Sequence, residues 1–267
     1  MTLSQLYPSR VEAIPLESLY LGLNLHRQAG EGDVFIYSNY VASLDGRISR
    51  FNPETGDYAV PKEIANERDW RIYQQLAAQS DILITSARYF RQLSKGNAQD
   101  MLPVGSEFED VKRWRLEQGL KPQPDVAIIS NSLDIPVQII KMMADRSIYV
   151  VTSENSPEEK RCLLETQGVT VMMAGETMVE GSQLRKLLIA SGFRSAYMIA
   201  GPAVHTTLIE AGVLDRLFLT TRLTLLGGIK THGFFDGGES AGSLQLVTLY
   251  LDEIGQQLFA QYTFGEK

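Results

Sequence analysis

The sequence predicts an α/β fold: a mostly parallel central sheet with flanking helices and an antiparallel hairpin near the C-terminus. Three observations carry this. Short continuous apolar runs recur from residue 33 onward, as expected of strands buried on both faces. Segments with helical spacing separate them, and strand–helix alternation builds a parallel sheet. The last two runs have no helix between them, so they pair with each other as a hairpin closing one edge.

Residues Met1 to Gly32 contain Pro8, Pro15 and a short apolar stretch, and end in the polar turn Gly30-Glu31-Gly32. They read as an N-terminal extension, an arm or short helix packing on the body, which spans residues 33–267. The predicted strands of the body are Val34–Ala42, Asp81–Thr85, Val126–Ser130, Ser147–Thr152, Val169–Met173, Ser195–Ala200 and Arg216–Thr221. Helical spacing marks Lys62–Gln79, Ser106–Gln118, Ser156–Gln167, Gly181–Ser191 and Pro202–Ala211. In Gly181–Ser191, for example, Leu184, Leu187 and Leu188 fall on one face. Leu244–Leu251 and Gln256–Phe264 form the hairpin. Trp70, Tyr73 and Leu76 are expected in the core. Glu107, Glu109, Asp110, Lys112, Arg113 and Arg115 are expected on a solvated helix surface.

At 267 residues, with 44% hydrophobic and 21% charged residues, the chain can bury a sizeable core. Its net charge of −7, without a long basic run, argues against a general nucleic-acid binder. The single cysteine, Cys162, leaves no internal disulfide. Three widely spaced histidines argue against a zinc site, so no metal is expected. Without a signal pattern or an apolar run near ~18 residues, a cytoplasmic protein with no membrane partner is expected.

Ligands of such sheets bind at the carboxyl ends of the strands. The first strand runs into Asn39…Ser43-Leu44-Asp45-Gly46-Arg47. Its polar groups could grip a polar ring, sugar hydroxyls or phosphate, but an ordinary turn explains the same residues better. After the second strand, Thr85, Ser86 and Arg88 could hold a phosphate; they could equally be turn caps and a surface charge. After the sixth, Gly201-Pro202-Ala203 opens a helix whose free amides suit a pyrophosphate, and a routine proline start fits equally well. His205 is expected to cap or pack. Leu225-Leu226-Gly227-Gly228 is a turn whose glycines could admit a ligand.

Taken together, Asn39…Ala42-Ser43-Leu44-Asp45-Gly46-Arg47-Ile48, Leu76-Ala77-Ala78-Gln79-Ser80-Asp81-Ile82-Leu83, Gly201-Pro202, Leu208-Ile209-Glu210-Ala211-Gly212-Val213-Leu214-Asp215 and Leu225-Leu226-Gly227-Gly228 resemble the riboflavin-pathway pyrimidine reductases. These correspond to the C-terminal half of the bacterial bifunctional deaminase/reductase. The resemblance implies a dihydrofolate-reductase-like fold and NADPH-dependent reduction of the ribosyl group of a phosphoribosylamino-pyrimidine. It further implies a homodimer, and the apolar hairpin edge suggests the contact. On this reading Asn39, Ser43 and Arg47 bind substrate and Asp45 is the catalytic candidate. Thr85, Ser86, Arg88, Gly201, Pro202 and Ala203 hold the cofactor's pyrophosphate. Ser130, Thr152 and Ser153 lie by its adenosine.

The chain departs from the family pattern at Ala77, where arginine is common, and at Arg88, where threonine is usual. Ile199-Ala200 replaces an acidic residue and a glycine, and Ser94-Lys95-Gly96-Asn97 bears no likeness to the usual Asp-Asp-Pro segment. The alternatives are a reductase of another heterocycle such as a pterin, or a nucleotide-binding protein without catalysis.

Overall fold

The computed structural model describes residues 2–96, 104, 107–143, 145–235 and 242–265. Asn97, and Ser106 at the start of a predicted helix, lie outside them, as do Glu266 and Lys267. Strands β1 (Thr2–Tyr7), β2 (Val11–Pro15), β3 (Phe35–Ser43), β4 (Arg47–Asn52) and β5 (Asp57–Ala59) lead to helix α1 (Glu67–Ala77). Then follow β6 (Ile82–Ser86), α2 (Ala87–Ser94), α3 (Glu109–Glu117), β7 (Asp125–Ile129), α4 (Val137–Lys141), β8 (Ile148–Thr152) and α5 (Glu158–Thr166). The chain continues through β9 (Thr170–Met173), α6 (Gly181–Ala190), β10 (Ser195–Met198), α7 (Pro202–Glu210), β11 (Arg216–Arg222) and β12 (Thr231–Gly233). It closes with β13 (Leu244–Asp252) and β14 (Gln257–Phe264).

The main sheet has the order β2-β1-β13-β14-β11-β3-β10-β6-β7-β8-β9. From β11 to β9 every neighbouring pair is parallel, whereas β14, β13, β1 and β2 pair antiparallel. The predicted class is therefore found, with seven predicted parallel strands and the hairpin all present. One part of the expectation is corrected. The hairpin does not close the sheet, because β1 pairs along β13 with Ser4 opposite Leu251. The N-terminal segment thus supplies strands as well as short turns, and the edge strand is β2.

Side chains divide the core by face. Ile36, Tyr40 and Ala42 of β3 pack with Leu184 and Leu188 of α6 and Leu208 of α7. Tyr37 of β3 points the other way, into a cluster with Ile72 and Leu76 of α1, Phe90 of α2 and Tyr20. Leu76 is buried as expected, while Trp70 and Tyr73 are half-buried and stacked, with ring centroids 4.9 Å apart.

Arg115 is a second correction. It is only 1% exposed, and its guanidinium donates to Ala78 O at 2.9 Å, Ser80 O at 2.7 Å and Lys121 O at 2.6 Å. Three carbonyls at the C-terminal end of α1 and in the following turns lack helical partners, and a buried cation there satisfies them. Burial lowers its pKa to about 10, so it stays charged.

Candidate active site

Because β11, β3, β10, β6, β7 and β8 run parallel and adjacent, their C-terminal ends line one edge of the sheet. That edge brings together Ser43 and Asp45, Thr85 and Ser86, Ser130, Thr152 and Ser153, and Gly201 to Ala203.

The turn after β3 is tied from both sides. Gly46 adopts φ +77°, a left-handed conformation that favours glycine. The Ser43 hydroxyl donates to Asp45 Oδ1 at 2.6 Å and accepts the Arg47 amide at 3.0 Å. The Asp45 carboxylate also accepts the amides of Leu226 and Gly227, both at 2.9 Å. The Ser43 hydroxyl and these two amides hold its pKa far below the usual carboxylate range. Asp45 is therefore an ionised latch between two loops that are remote in sequence. Arg47 Nε is buried without a partner among the described residues, as is Asn39 Nδ2 in mid-strand.

The β10–α7 turn has a different character. Gly201 sits at φ −70°, which any residue adopts, and no atom lies within 4 Å of where a Cβ would stand. Neither backbone nor packing requires glycine, so the open space before it is the feature. Gly201 starts α7 without a side-chain cap, and Pro202 occupies the first turn. Ser86 likewise starts α2 without donating or accepting a cap bond. Thr152 Oγ1, at the end of β8, is buried and unpartnered. Two adjacent uncapped helix starts, an open backbone and an orphaned hydroxyl suit a nucleotide's phosphates and sugar.

Two candidates are engaged elsewhere. Arg88 bonds the Asp57 carboxylate and Tyr58 O, tying α2 to the small sheet β12-β4-β5. The Ser130 hydroxyl accepts the Leu133 amide at 3.0 Å. His205, expected to cap or pack, is fully buried. Its Nδ1 bonds Phe234 O at 2.8 Å and its Nε2 bonds the Ser38 hydroxyl at 3.2 Å. Burial lowers its pKa to about 4, so it is neutral at physiological pH.

One carboxylate near this edge was not singled out from sequence. Asp69, in the first turn of α1, is 9% exposed and accepts a hydrogen bond from Thr220 of β11. Burial raises its pKa to about 6, opposed by the Thr220 hydroxyl and the charge of Arg222. An acidic residue in a first helical turn is too ordinary to signal anything.

Residues 34–258 match the family described as the RibD C-terminal domain. The chain belongs to that family. A 2,5-diamino-6-ribosylamino-4(3H)-pyrimidinone 5′-phosphate reductase of Archaeoglobus fulgidus is 26% identical over 205 residues, 76% of this chain and 86% of that protein. The riboflavin biosynthesis protein RibD of Bacillus amyloliquefaciens is 24% identical over 200 residues, covering 73% of this chain and 47% of that protein. In fold the chain is similar to a pyrimidine reductase-like protein of Corynebacterium diphtheriae, with a TM-score of 0.73 at 17% identity, covering 95% of this chain and all of that one. Membership in the RibD C-terminal domain family accounts for the latched turn and the open β10–α7 turn occurring together on one edge.

Proposed function

We propose that this chain is an NADPH-dependent reductase of riboflavin biosynthesis that reduces the ribosyl group of a phosphoribosylamino-pyrimidine to a ribityl chain. The match over residues 34–258 carries this reading, together with the printed activity of the archaeal relative. NADPH would supply hydride to the sugar carbon. The amides opening α2 and α7, with Gly201, Pro202, Ala203, Thr85 and Ser86, would hold its pyrophosphate. Thr152, Ser153 and Ser130 would lie along its adenosine.

Asn39, Ser43 and Arg47 face the substrate side. Asp45 is a positioning residue on this reading. Its carboxylate is ionised and already accepts three hydrogen bonds, so it holds the two loops at the reacting sugar rather than handing over a proton. His205 is neutral, with both ring nitrogens engaged, which leaves solvent as the proton source.

Among the described residues no helix is long and apolar enough to cross a membrane. A cytoplasmic homodimer completes the proposal. Since β1 already covers the edge of β13, the contact would use the outer face of the hairpin, where Leu244 is exposed. Light scattering at micromolar concentration tests the dimer. The decisive assay is NADPH oxidation with the phosphoribosylamino-pyrimidine. Turnover supports the reading, and NADPH binding without turnover overturns it.

A further inference from the structure

The face of the sheet beneath α1 carries two polar atoms that the fold leaves unsatisfied. Asn39, Val41 and Ser43 of β3 stand in register with Phe218, Thr220 and Arg222 of β11, so these side chains share that face. Asp69 reaches it from α1 and takes the Thr220 hydroxyl on one oxygen. Its Oδ1 is buried with no partner, and so is Asn39 Nδ2.

Neither atom is needed to build the fold. The start of α1 is already capped by Asn66, whose side chain accepts the Arg68 and Asp69 amides at 3.0 Å each. No ion pair among the described residues includes Asp69. Arg222 influences it only through charge, since its Nη1 is directed to Gly255 O. Buried polar atoms are ordinarily paired, and an orphaned acceptor and donor on one face point to an absent ligand. The face also lies at the end of β3 that leads to Ser43 and the latched turn, on the side away from Gly201.

We propose that Asp69 and Asn39 read the ring edge of the pyrimidine and make this chain selective for a 2-amino-4-oxo ring over a 2,4-dioxo ring. This rests on the reductase reading above. A 2-amino-4(3H)-pyrimidinone presents an amino group, a ring N–H and a carbonyl in sequence: donor, donor, acceptor. A carboxylate accepts both donors side by side, and the Asn39 amide donates to the carbonyl. The deaminated ring places a carbonyl where the amino group stood, against the Asp69 oxygen. Sites that hydrogen-bond a substrate group discriminate sharply against its loss because their own buried groups are left unpaired. Thr220 fixes the carboxylate's orientation, and the pKa near 6 leaves it mostly ionised at neutral pH.

The test compares 2,5-diamino-6-ribosylamino-4(3H)-pyrimidinone 5′-phosphate with its 2-oxo counterpart, using wild type, Asp69→Asn and Asn39→Ala. Wild type is expected to favour the amino ring by about a hundredfold in kcat/KM. Asp69→Asn should raise KM for the amino ring by about thirtyfold with kcat little changed, and should narrow the preference to within about threefold. Asn39→Ala should raise KM for both rings, since both keep the 4-carbonyl. Calorimetric titration of NADPH and a thermal melt establish that each variant is folded and loads cofactor. Equal use of both rings by wild type, or equal losses on both in folded Asp69→Asn, overturns the proposal while leaving the reductase reading intact. Absence of turnover on either ring by wild type removes the reductase reading and this proposal with it.

Discussion

The two halves of the C-terminal sheet edge solve different problems. Around β10, β6 and β8 the protein offers backbone: uncapped helix starts, an open glycine and a buried hydroxyl. Around β3 and β11 it offers side chains that are mostly tied to one another, as Asp45 is to two loops and Asp69 is to Thr220. Phosphates are alike in every nucleotide and need only amides and a helix end. A particular heterocycle needs side chains held in one orientation, so that half is braced. The contrast teaches that departures from a family pattern matter more on the braced half, where one side chain changes what fits.

The largest effect should come from closing the open half. Gly201→Val meets no protein atom, so the fold should survive. Its side chain would instead occupy ligand space, at about 2 kcal/mol for overpacking. NADPH affinity should then fall by about thirtyfold in a fluorescence titration. An unchanged dissociation constant in the folded variant would move the cofactor elsewhere.

Loosening the braced half should separate turnover from cofactor binding. Asp45→Asn keeps the shape but weakens the acceptor for the Leu226 and Gly227 amides. Turnover should fall by about tenfold while NADPH affinity stays within about twofold, since displacement of loops at the reacting centre is felt chiefly in the chemical step. Full turnover would show that the latch does nothing for catalysis.

A smaller effect concerns stability. Asp69 has its pKa raised to about 6 in the folded protein, against ~3.9 in an unfolded chain. Its ionisation therefore opposes folding. The contribution is most favourable below pH ~4 and is lost as pH rises through about 6. Asp69→Asn should consequently be more stable than wild type at pH 8, on the order of 1 kcal/mol, with the advantage shrinking towards pH 4. Melting curves at several pH values measure this. Equal pH dependence in both proteins would mean that the carboxylate is solvated.

The smallest effect tests the boundary between the halves. Arg88 is partly exposed and held by Asp57. Arg88→Ala should change NADPH affinity by less than about threefold, as expected for an exposed ion pair. A larger loss would return Arg88 to the pyrophosphate.

The parallel strands were legible because both faces are buried, which writes continuous apolar runs such as Ile82–Thr85 and Val126–Ile129 into the sequence. Strands β1 and β2 were not, since most of Thr2–Tyr7 and Val11–Pro15 is exposed or half-exposed and lacks such a run. The small sheet was hidden for the same reason in Arg47–Asn52 and Asp57–Ala59. Arg115 looked like a surface residue because its helix is charged nearly all round, and only the packing of α3 beside the end of α1 reveals its carbonyl partners. The site edge followed from topology alone. Its side-chain ties did not, because Asp45 and the Leu226 amide are separated by 181 positions.

The pairing of β1 with β13 has a consequence for how the protein is made. A strand synthesised among the first residues must wait for one synthesised near the last, with Ser4 facing Leu251. Contacts of such long sequence separation form late and slow folding, because loop closure must come before they can reward it. On the ribosome, the parallel core from β3 to β10 can assemble while β1 has no partner. Its unpaired backbone is then exposed to other chains until the hairpin emerges. Expression at lower temperature, or with a chaperone that shields the first residues, should therefore raise the soluble yield.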